Sequence, residues 1–339
     1  MMLNIAVVGI GSWGKNLVRN FNELKESNLS LCSDLNGDKL KIIKDLYPKV
    51  KTTKDFDSFL LDQRIDAVAI STPASTHFEL AKKALLKDKH VFIEKPMTLK
   101  VADSEELIEI AEKRNKKIMV GHLMLFHPAI RKLKEIISER ELGDIYYIYS
   151  QRVNLGIVRK DESALWSFAP HDLSVISYLL EQEPETVSAR GESYLQDKIE
   201  DVVFMNLHFK DKKMAQLHLS WLDPNKLRRM TIVGSKKMVV FDDVESSEKL
   251  KIYDKGVNQV DYNSYGDYIT LRFGDINIPR IDMAEPLKIE CQHFLDCIIK
   301  NKKPLSDGYS GLRVIKILEA AQESLEKGGV PVKLNREIS

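Results

Sequence analysis

The sequence predicts an α/β protein of two domains, a doubly wound parallel sheet followed by an α/β domain with a large, mostly antiparallel open sheet. Short apolar runs alternate with helix-period segments through the first third of the chain, whereas strand-like segments follow one another directly from 186 to 271. The length of 339 residues also exceeds what one hydrophobic core ordinarily serves. We place the boundary after Gly121, giving domains of residues 1–121 and 122–339.

Five short apolar segments are predicted to form the strands of the first sheet, at residues 3–8, 29–34, 67–71, 91–93 and 118–121. The stretches between them, such as 78–86 and 102–113, repeat apolar residues at helical spacing and carry charges between them. Strands that alternate with helices in this way are typical of a parallel sheet with helices on its faces.

The second domain is predicted to open with a helix at 129–138, a strand at 145–153 and a helix over 163–180. Polar and apolar residues then alternate with period two, most clearly at 202–208 and 216–221, which indicates half-buried strands. Because no helical segment separates these strands, we expect them to pair mainly antiparallel. Helices at 286–300 and 310–327 complete the pattern, and two glycines end the second of them.

Composition excludes several classes of partner. Lys and Arg total 51 against 50 Asp and Glu, a net charge of +1, so no overall field draws the chain to nucleic acid or an anionic membrane. No apolar run approaches the length of a membrane span, and residues 3–8 lack the basic flank of a signal peptide. Three cysteines without disulfide-scaffold spacing suit a reducing compartment, so we expect a cytoplasmic protein with reduced thiols.

A glycine motif of the form GxGxxG follows the first predicted strand and precedes a helical segment. It comprises Gly9, Ile10, Gly11, Ser12, Trp13 and Gly14. The first glycine permits a tight turn, the second lets the main chain approach a pyrophosphate, and the third lets helix and strand pack closely. Free N–H groups at the start of the helix then receive the phosphates. The motif predicts a Rossmann dinucleotide-binding domain.

Asp34 ends the second predicted strand, about 20 residues after the motif, where an acidic side chain accepts hydrogen bonds from the adenosine ribose. A carboxylate at this position repels the 2′-phosphate of NADP, so we expect NAD as the cofactor. The alternative is a tight βα turn followed by a solvated strand end. The combination of strand, motif, helix and acid at this spacing favours the cofactor.

Two further polar segments follow strands of the predicted parallel sheet, where ligands of such sheets bind. The first contains Ser71, Thr72, Pro73 and His77, and the second contains Glu94 and Lys95. We expect these residues to open into the cofactor crevice.

These motifs resemble those of the Gfo/Idh/MocA oxidoreductases, and the resemblance covers essentially the whole chain. It rests on residues 9–14, Asp34, STPASTH at 71–77, EKP at 94–96, His171 in APHDLSVISYLL, and the later segments EPLKIECQHFLDCI and SDGYSGLRVIKILEAA. The family acts mainly on sugars, sugar nucleotides and inositols, so the resemblance implies an NAD-dependent dehydrogenase. It also implies that Lys95 and His171 flank the reacting carbinol and that the chain forms homodimers or homotetramers.

Oxidation of an alcohol requires such a pair of residues. A hydride moves to C4 of the nicotinamide while a base accepts the hydroxyl proton, and a cation can stabilise the developing oxyanion. We expect His171 to be the base and Lys95 to orient the hydroxyl and relay its proton. The same two roles reversed, or shared, are the alternatives.

The chain departs from the family pattern beside His171. Many members have an acid four positions before this histidine and another three positions after it, whereas this chain has Ser167 and Ser174, with Asp172 adjacent instead. Leu125 likewise stands where an arginine is usual after the sixth strand. Because of these departures, it stays open which of Lys95 and His171 acts as acid and which as base. The two residues remain the expected catalytic pair.

One branch of the family, the UDP-N-acetylglucosamine 3-dehydrogenases, resembles the chain most, especially at 154–174 and 220–243. The residues expected to bind such a sugar nucleotide are Lys95, Arg152, Asn154, Arg159, Trp166, His171 and Asp172. Arginine offers a planar fork to phosphate oxygens, so either Arg152, Arg159 and Lys160 or a second basic cluster, Lys226, Arg228 and Arg229, could neutralise the diphosphate. Without the resemblance, solvated basic faces and a core tryptophan are the simpler interpretation.

Other interpretations stay open at this stage. The substrate could be the uronic acid of UDP-N-acetylglucosamine, an inositol or a free hexose, or the chain could be a catalytically silent NAD-binding sensor. Cys291, His293 and Cys297 look like metal ligands, but helical steps of about 100° carry Cys291 away from the other two. His122 and His127 form only a pair. We therefore predict no metal site.

Overall fold

The computed structural model describes residues 1–156, 158–160, 162–258, 270–282 and 284–334. The chain divides into two compact units, Met1–Phe126 with Ala284–Lys316, and His127–Met283 with Ile317–Ser339. Part of the predicted strand-like stretch, residues 259–269, lies outside the described residues. No helix within the described ranges is long and apolar enough to cross a membrane.

The first unit contains a six-stranded parallel sheet. Its strands are β1 Leu3–Val8, β2 Ser27–Ser33, β3 Lys51–Thr53, β4 Ala67–Ile70, β5 His90–Glu94 and β6 Ile118–Gly121. They lie in the order β3-β2-β1-β4-β5-β6, and each neighbouring pair is parallel. The winding reverses between β1 and β4, where the carboxyl ends of the strands open a crevice for a ligand. The predicted doubly wound sheet is confirmed.

Helices connect these strands and continue through the chain. Those in the described ranges are α1 Gly14–Glu23, α2 Gly37–Leu46, α3 Phe56–Leu60, α4 His77–Leu86, α5 Val101–Lys113, α6 Pro128–Ser138, α7 Ala164–Leu180, α8 Pro286–Ile299 and α9 Gly308–Glu326. A 3₁₀ turn, Leu123–Phe126, follows β6. Asn36 begins α2 by accepting hydrogen bonds from the N–H groups of Asp38 and Lys39, and Gly328 ends the last helix region with a φ of +68°.

The first unit differs from the predicted first domain because it includes residues 284–316. The reason is the apolar face of α8. The ring of Phe294 lies 5.7 Å from that of Phe92 on β5 and 6.5 Å from that of Phe21 on α1, centroid to centroid. Aromatic edge contacts of this kind add to the burial of large apolar surfaces. A helix that is distant in sequence therefore completes the core of the first sheet.

The second unit contains a sheet of nine described strands. They are β7 Ile145–Val153, β8 Thr186–Glu192, β9 Val202–His208, β10 Met214–Ser220, β11 Leu227–Gly234, β12 Met238–Asp242, β13 Leu250–Asn258, β14 Thr270–Asn277 and β15 Val332–Lys333. Their order is β14-β13-β12-β11-β7-β10-β9-β8-β15, and among these pairs β7 and β10 alone run parallel. The predicted, mostly antiparallel sheet is confirmed.

Candidate active site

The turn between β1 and α1 is built by glycine. Gly9 has a φ of +85°, and a Cβ at this position would lie 2.6 Å from the main-chain oxygen of Ser71. A Cβ on Gly14 would lie 1.9 Å from the main-chain oxygen of Gly9. At Gly11, in contrast, a Cβ would meet no atom within 4 Å. Gly9 and Gly14 therefore permit close packing within the protein, whereas Gly11 borders open space.

The start of α1 fits a dinucleotide phosphate. Trp13, at the N-cap, makes no side-chain cap, and the first turn of the helix carries no acidic residue. Ser12 and Trp13 are exposed, whereas Ile10 is buried. Unpaired N–H groups at a helix start attract anions, and glycine at 11 lets a bulky group approach the main chain. The residues of this turn could hold the pyrophosphate of NAD.

Asp34 directly follows β2 and joins the strand end to the glycine turn. Its Oδ2 accepts a hydrogen bond from the N–H of Ile10 at 2.6 Å and lies 3.3 Å from Nζ of Lys39, and its Oδ1 accepts from the N–H of Asn36 at 2.8 Å. Burial acts to raise the pKa of Asp34, but these donors outweigh it and lower the pKa below the ordinary value. Asp34 is therefore a carboxylate at neutral pH, the state in which it can accept hydrogen bonds from a ribose.

The loop after β4 carries Ser71, Thr72 and Pro73 and leads into α4. His77, the first residue of α4, is 1% exposed. Its Nδ1 lies 2.8 Å from the main-chain oxygen of Pro96, and its Nε2 lies 2.9 Å from that of Thr72. Both ring nitrogens thus face protein oxygens, which differs from the predicted role of His77 as a cofactor ligand.

Glu94 ends β5 in a partly buried position. The indole N–H of Trp13 donates to its Oε1 at 2.5 Å, and the N–H of Lys95 donates to its Oε2 at 3.3 Å. The carboxylate lies against Gly121, where a Cβ would be 2.9 Å from Oε2. Burial raises the pKa of Glu94 to about 7, although its hydrogen bond with Trp13 and the charge of Lys95 act to lower it. The side chain of Glu94 therefore anchors the exposed Trp13 beside the partly exposed Lys95.

Two further polar residues of this unit are buried: Glu290, which the sequence analysis did not single out, and His122, which it considered only as one of a histidine pair. Glu290, on α8, is 0% exposed, and both of its carboxyl oxygens lack a hydrogen-bond partner in the structure. Burial raises its pKa well above the ordinary value, and the charge of Glu94 raises it further. His122 is also buried, and burial is the main cause that lowers its pKa to about 3. A signal existed for Glu290, which interrupts the apolar helical spacing of Leu287 and Phe294.

In the second unit, His171 lies partly exposed on α7. Its neighbour Asp172 forms an ion pair with Arg152 of β7. Nε of Arg152 donates to Oδ2 at 2.8 Å, and Nη2 donates to Oδ1 at 2.9 Å. The two side chains are 9% and 4% exposed. Arg152 and Asp172 thus neutralise each other, which differs from the expectation that Arg152 offers its charge to a diphosphate.

Asn154 and Arg228 form a second linked pair in this unit. Nη2 of Arg228 donates to Oδ1 of Asn154, and its Nη1 donates to the main-chain oxygen of Val153 at 2.9 Å. The guanidinium lies over the ring of Phe168, 5.0 Å from its centroid. Burial, followed by the like charge of Arg152, lowers the pKa of Arg228 to about 10. A half-buried cation therefore lies beside the predicted substrate residue Asn154.

The remaining predicted substrate residues differ in exposure. Arg159 is exposed, and its Nε lies 3.0 Å from Oε1 of Glu162. Trp166 is partly buried, and its indole N–H donates to Oε1 of Gln322 at 3.1 Å. Both side chains thus have a polar partner within the second unit.

The match to known families decides what these two units are. Residues 3–122 match the Gfo/Idh/MocA model described as an oxidoreductase family with an NAD-binding Rossmann fold, and residues 130–240 match the C-terminal domain of the same family. The chain belongs to the Gfo/Idh/MocA family. The N-terminal match confirms NAD as the cofactor expected from the glycine motif.

Two members of this family match over nearly the whole chain. UDP-N-acetylglucosamine 3-dehydrogenase of Acidithiobacillus ferrooxidans is 26% identical over 317 residues, 92% of this chain and 94% of that protein. Myo-inositol 2-dehydrogenase of Thermotoga maritima is 25% identical over 337 residues, 96% of this chain and 97% of that protein. A solved structure of the first enzyme has a TM-score of 0.81 at 24% identity, covers 96% of this chain and 99% of its own, and shows the same fold.

The departures from the Gfo/Idh/MocA pattern lie in buried positions. Ser167 and Ser174 are 5% and 2% exposed, and the hydroxyl of Ser174 donates to the main-chain oxygen of His171 at 2.8 Å. Leu125, in the 3₁₀ turn after β6, is 1% exposed. An uncharged side chain suits each of these buried positions, since a charge there would need a partner.

The cysteine- and histidine-bearing face of α8 is part of the packing of this family member. Sγ of Cys297 lies 3.3 Å from Nε2 of His293, which also accepts a hydrogen bond from the N–H of Leu305 at 3.0 Å. Cys32, Cys291 and Cys297 are buried and unbridged. Among the described residues, no three His, Cys, Asp or Glu side chains are arranged to hold a metal ion.

Proposed function

We propose that this Gfo/Idh/MocA protein oxidises the 3-hydroxyl of UDP-N-acetylglucosamine to a ketone with NAD. The observation that carries the proposal is the near full-length similarity to UDP-N-acetylglucosamine 3-dehydrogenase. A lysine after β5 and a histidine on α7 are of the residue types that this chemistry requires. Bound NAD would supply the hydride acceptor.

His171 is the proposed base for the hydroxyl proton. Lys95 orients the hydroxyl, stabilises the negative charge that develops on its oxygen and relays the proton. The main chain of Lys95 is held by the carboxylate of Glu94, to which its N–H donates. The sugar carbon loses a hydride and the oxygen loses a proton, so the alcohol becomes a ketone.

The cofactor is proposed to lie along the carboxyl ends of β1, β2, β4 and β5. Residues 9–14 would hold the pyrophosphate, Asp34 would accept hydrogen bonds from the adenosine ribose, and the segments at 71–73 and 94–95 would bind the nicotinamide half. The ionised state of Asp34 supports this assignment, since a carboxylate is a strong acceptor for hydroxyl groups.

The diphosphate of the substrate is proposed to bind Arg228 in preference to Arg152. Arg152 already has a carboxylate partner in Asp172, whereas Arg228 donates hydrogen bonds to neutral oxygens of Val153, Leu227 and Asn154. A half-buried guanidinium without a carboxylate against it gains most from an anionic ligand. Trp166 supplies an aromatic surface for the sugar or the uracil ring.

An inositol is the second candidate substrate, because myo-inositol 2-dehydrogenase matches over 337 residues, 96% of this chain and 97% of that protein. An inositol carries no phosphate, so it makes no use of Arg228. Replacement of Arg228 by Gln should therefore raise the KM for a sugar nucleotide and leave the KM for an inositol unchanged.

The deciding experiment follows NADH absorbance with purified protein, NAD and UDP-N-acetylglucosamine, with a 3-keto-sugar aminotransferase and glutamate to remove the ketone. Lys95→Ala and His171→Ala are expected to lower kcat by about 10²–10⁴-fold, whereas Lys100→Ala, an exposed lysine on the same loop, retains activity. NADH from inositol but not from UDP-N-acetylglucosamine would favour the inositol dehydrogenase. No NADH with either, or with a uronic acid or hexose, would favour an NAD-binding sensor.

The second unit is further proposed to bind a second copy of this chain through the open face of its sheet. Tyr147 and Met214 are register partners on β7 and β10 and are 43% and 47% exposed. Phe204, 48% exposed, stacks on His218 at 4.4 Å. Exposed apolar side chains grouped on a sheet face are typical of subunit contacts. Light scattering should give a homodimer or homotetramer, and Phe204→Glu should shift it toward monomer.

A further inference from the structure

His77 lies between the two loops that end β4 and β5. Its imidazole is 1% exposed, with Nδ1 at 2.8 Å from the oxygen of Pro96 and Nε2 at 2.9 Å from the oxygen of Thr72. Thr72 belongs to the loop of Ser71–Pro73, and Pro96 directly follows Lys95. One buried ring therefore joins the segment predicted to face the cofactor to the segment that carries the proposed catalytic lysine.

Both oxygens that face His77 are main-chain carbonyl oxygens, which can only accept hydrogen bonds. A neutral imidazole has one N–H and can donate to one of them at a time, whereas an imidazolium can donate to both. The ring has no nitrogen directed at solvent, so a cofactor contact would require the loss of one of these two bonds. The geometry suits a link within the protein better than a ligand contact.

The main chain around Lys95 is held from two sides. The N–H of Lys95 donates to the carboxylate of Glu94 at 3.3 Å, and the next carbonyl, that of Pro96, faces His77. Pro96 has no N–H of its own with which to hold this turn. The interaction with His77 is therefore one side-chain contact that restrains the turn beyond the lysine.

We propose that His77 is a positioning residue, which fixes the main chain after Lys95 against the Thr72 loop and does not itself bind NAD. This inference rests on the proposed function of Lys95. Displacement of a catalytic group by about 1 Å can cost up to about 10²-fold in rate, so a restraint at the adjacent carbonyl is sufficient to matter.

The test compares His77→Leu, His77→Gln and a matched control, His90→Gln. The control replaces a partly buried histidine at the opposite end of β5, whose Nδ1 accepts a hydrogen bond from the N–H of Lys117. Leucine removes the donor, whereas the amide of glutamine can donate to one of the two carbonyls. Two measurements need no substrate: the affinity for NAD, and the pH profile with which an amine reagent labels Lys95, identified by peptide mass spectrometry.

We expect His77→Leu to shift the labelling profile of Lys95 and to change the Kd for NAD by less than about threefold, with His77→Gln close to wild type and His90→Gln identical to it. Where turnover is measurable, kcat of the leucine variant should fall about tenfold or more at little change in the KM for NAD. If His77→Leu leaves the Lys95 profile unchanged, or weakens NAD binding in proportion to kcat, the positioning role is overturned.

The wild-type protein gives an independent outcome should the leucine variant fail to fold. A ring N–H of His77 that donates to a buried carbonyl should exchange slowly with solvent, visible by ¹⁵N-edited NMR with and without NAD. Rapid exchange in the cofactor-free protein would overturn the proposal. Because neither this measurement nor the labelling of Lys95 uses the substrate, failure of the proposed reaction and failure of the His77 role remain distinguishable.

Discussion

Two candidate binding regions of the molecule are built on different principles. One is the cofactor turn, residues 9–14. The other is the arginine cluster of the second unit, which comprises Arg152, Asn154, Asp172 and Arg228. The cofactor turn offers main-chain N–H groups, and Gly9 lies close against the main chain of a neighbouring loop at Ser71. The arginine cluster offers side chains that are already bonded to one another. The first region is shaped before any ligand arrives, whereas the second must exchange some of its own contacts to bind one.

This difference decides what a sequence can predict. In the cofactor turn, spacing along one short segment determines the main-chain path, so the motif is sufficient. In the arginine cluster, the partners are 20 residues apart for Arg152 and Asp172 and 74 apart for Asn154 and Arg228. No local pattern specifies such pairs, since they depend on how β7, β11 and α7 pack.

The largest expected effect comes from breaking the ion pair between Arg152 and Asp172 in the arginine cluster. Asp172→Asn leaves Arg152 buried without its carboxylate and should lower the free energy of unfolding by about 3–5 kcal/mol. Urea unfolding of the variant measures the loss, and the double replacement Arg152→Met with Asp172→Leu should recover much of it, because no buried charge remains. A stability equal to wild type, with only a raised KM for the substrate, would instead make Arg152 a substrate ligand.

The same contrast explains which elements were predicted. The parallel strands were recognised because buried runs of β-branched residues alternate with helical segments, but β3 has three residues, too few to show any periodicity. Lys95 and His171 were proposed through motifs, whereas Glu290, one charged residue in a largely apolar helix, was not singled out. Residues 284–316 belong to the first unit, where Phe294 packs against Phe92. No pattern in the sequence indicates this contact.

A pair of alanine substitutions separates the two kinds of glycine in the cofactor turn. Gly14→Ala places a Cβ 1.9 Å from a main-chain oxygen, so it should lower the free energy of unfolding by about 1–3 kcal/mol and disrupt NAD binding. Gly11→Ala meets no protein atom within 4 Å and should keep wild-type stability while it weakens NAD binding. Denaturant unfolding and fluorescence titration with NAD measure the two effects. Equal loss of stability in both would refute the distinction.

Glu290 provides a test that depends on pH. Its folded-state pKa is raised by burial and by Glu94, so the folded protein holds a proton that the unfolded chain releases above its ordinary pKa. The stability of the wild type should therefore decline as pH rises above that ordinary value, by up to about 1.4 kcal/mol per pH unit until Glu290 ionises. Glu290→Gln removes this contribution.

In thermal unfolding, the stability of Glu290→Gln relative to wild type should accordingly increase between about pH 5 and pH 8. Glu94→Gln should show the same trend only up to about pH 7, where the pKa of Glu94 lies. Glu109→Gln, on the exposed face of α5, is the matched control and should follow the wild type throughout. A constant difference between Glu290→Gln and wild type across this range would mean that Glu290 is ionised in the folded protein.

The smallest expected effect concerns Asp34, the acidic residue that directly follows β2. At this position a side chain, and not the main chain, is proposed to bind the cofactor. Asp34→Ser removes a carboxylate that accepts hydrogen bonds from the N–H groups of Ile10 and Asn36. The same carboxylate is expected to repel the 2′-phosphate of NADP. We expect NAD affinity to fall about tenfold, or about 1.4 kcal/mol, and discrimination against NADP to lessen, because Lys39 is then left without its carboxylate partner. Binding titrations with both cofactors, repeated in Asp34→Ser with Lys39→Met, separate the two contributions. If NADP binds the single variant no better than the wild type, repulsion by Asp34 is not what excludes it, and the shape of the turn itself must select the cofactor.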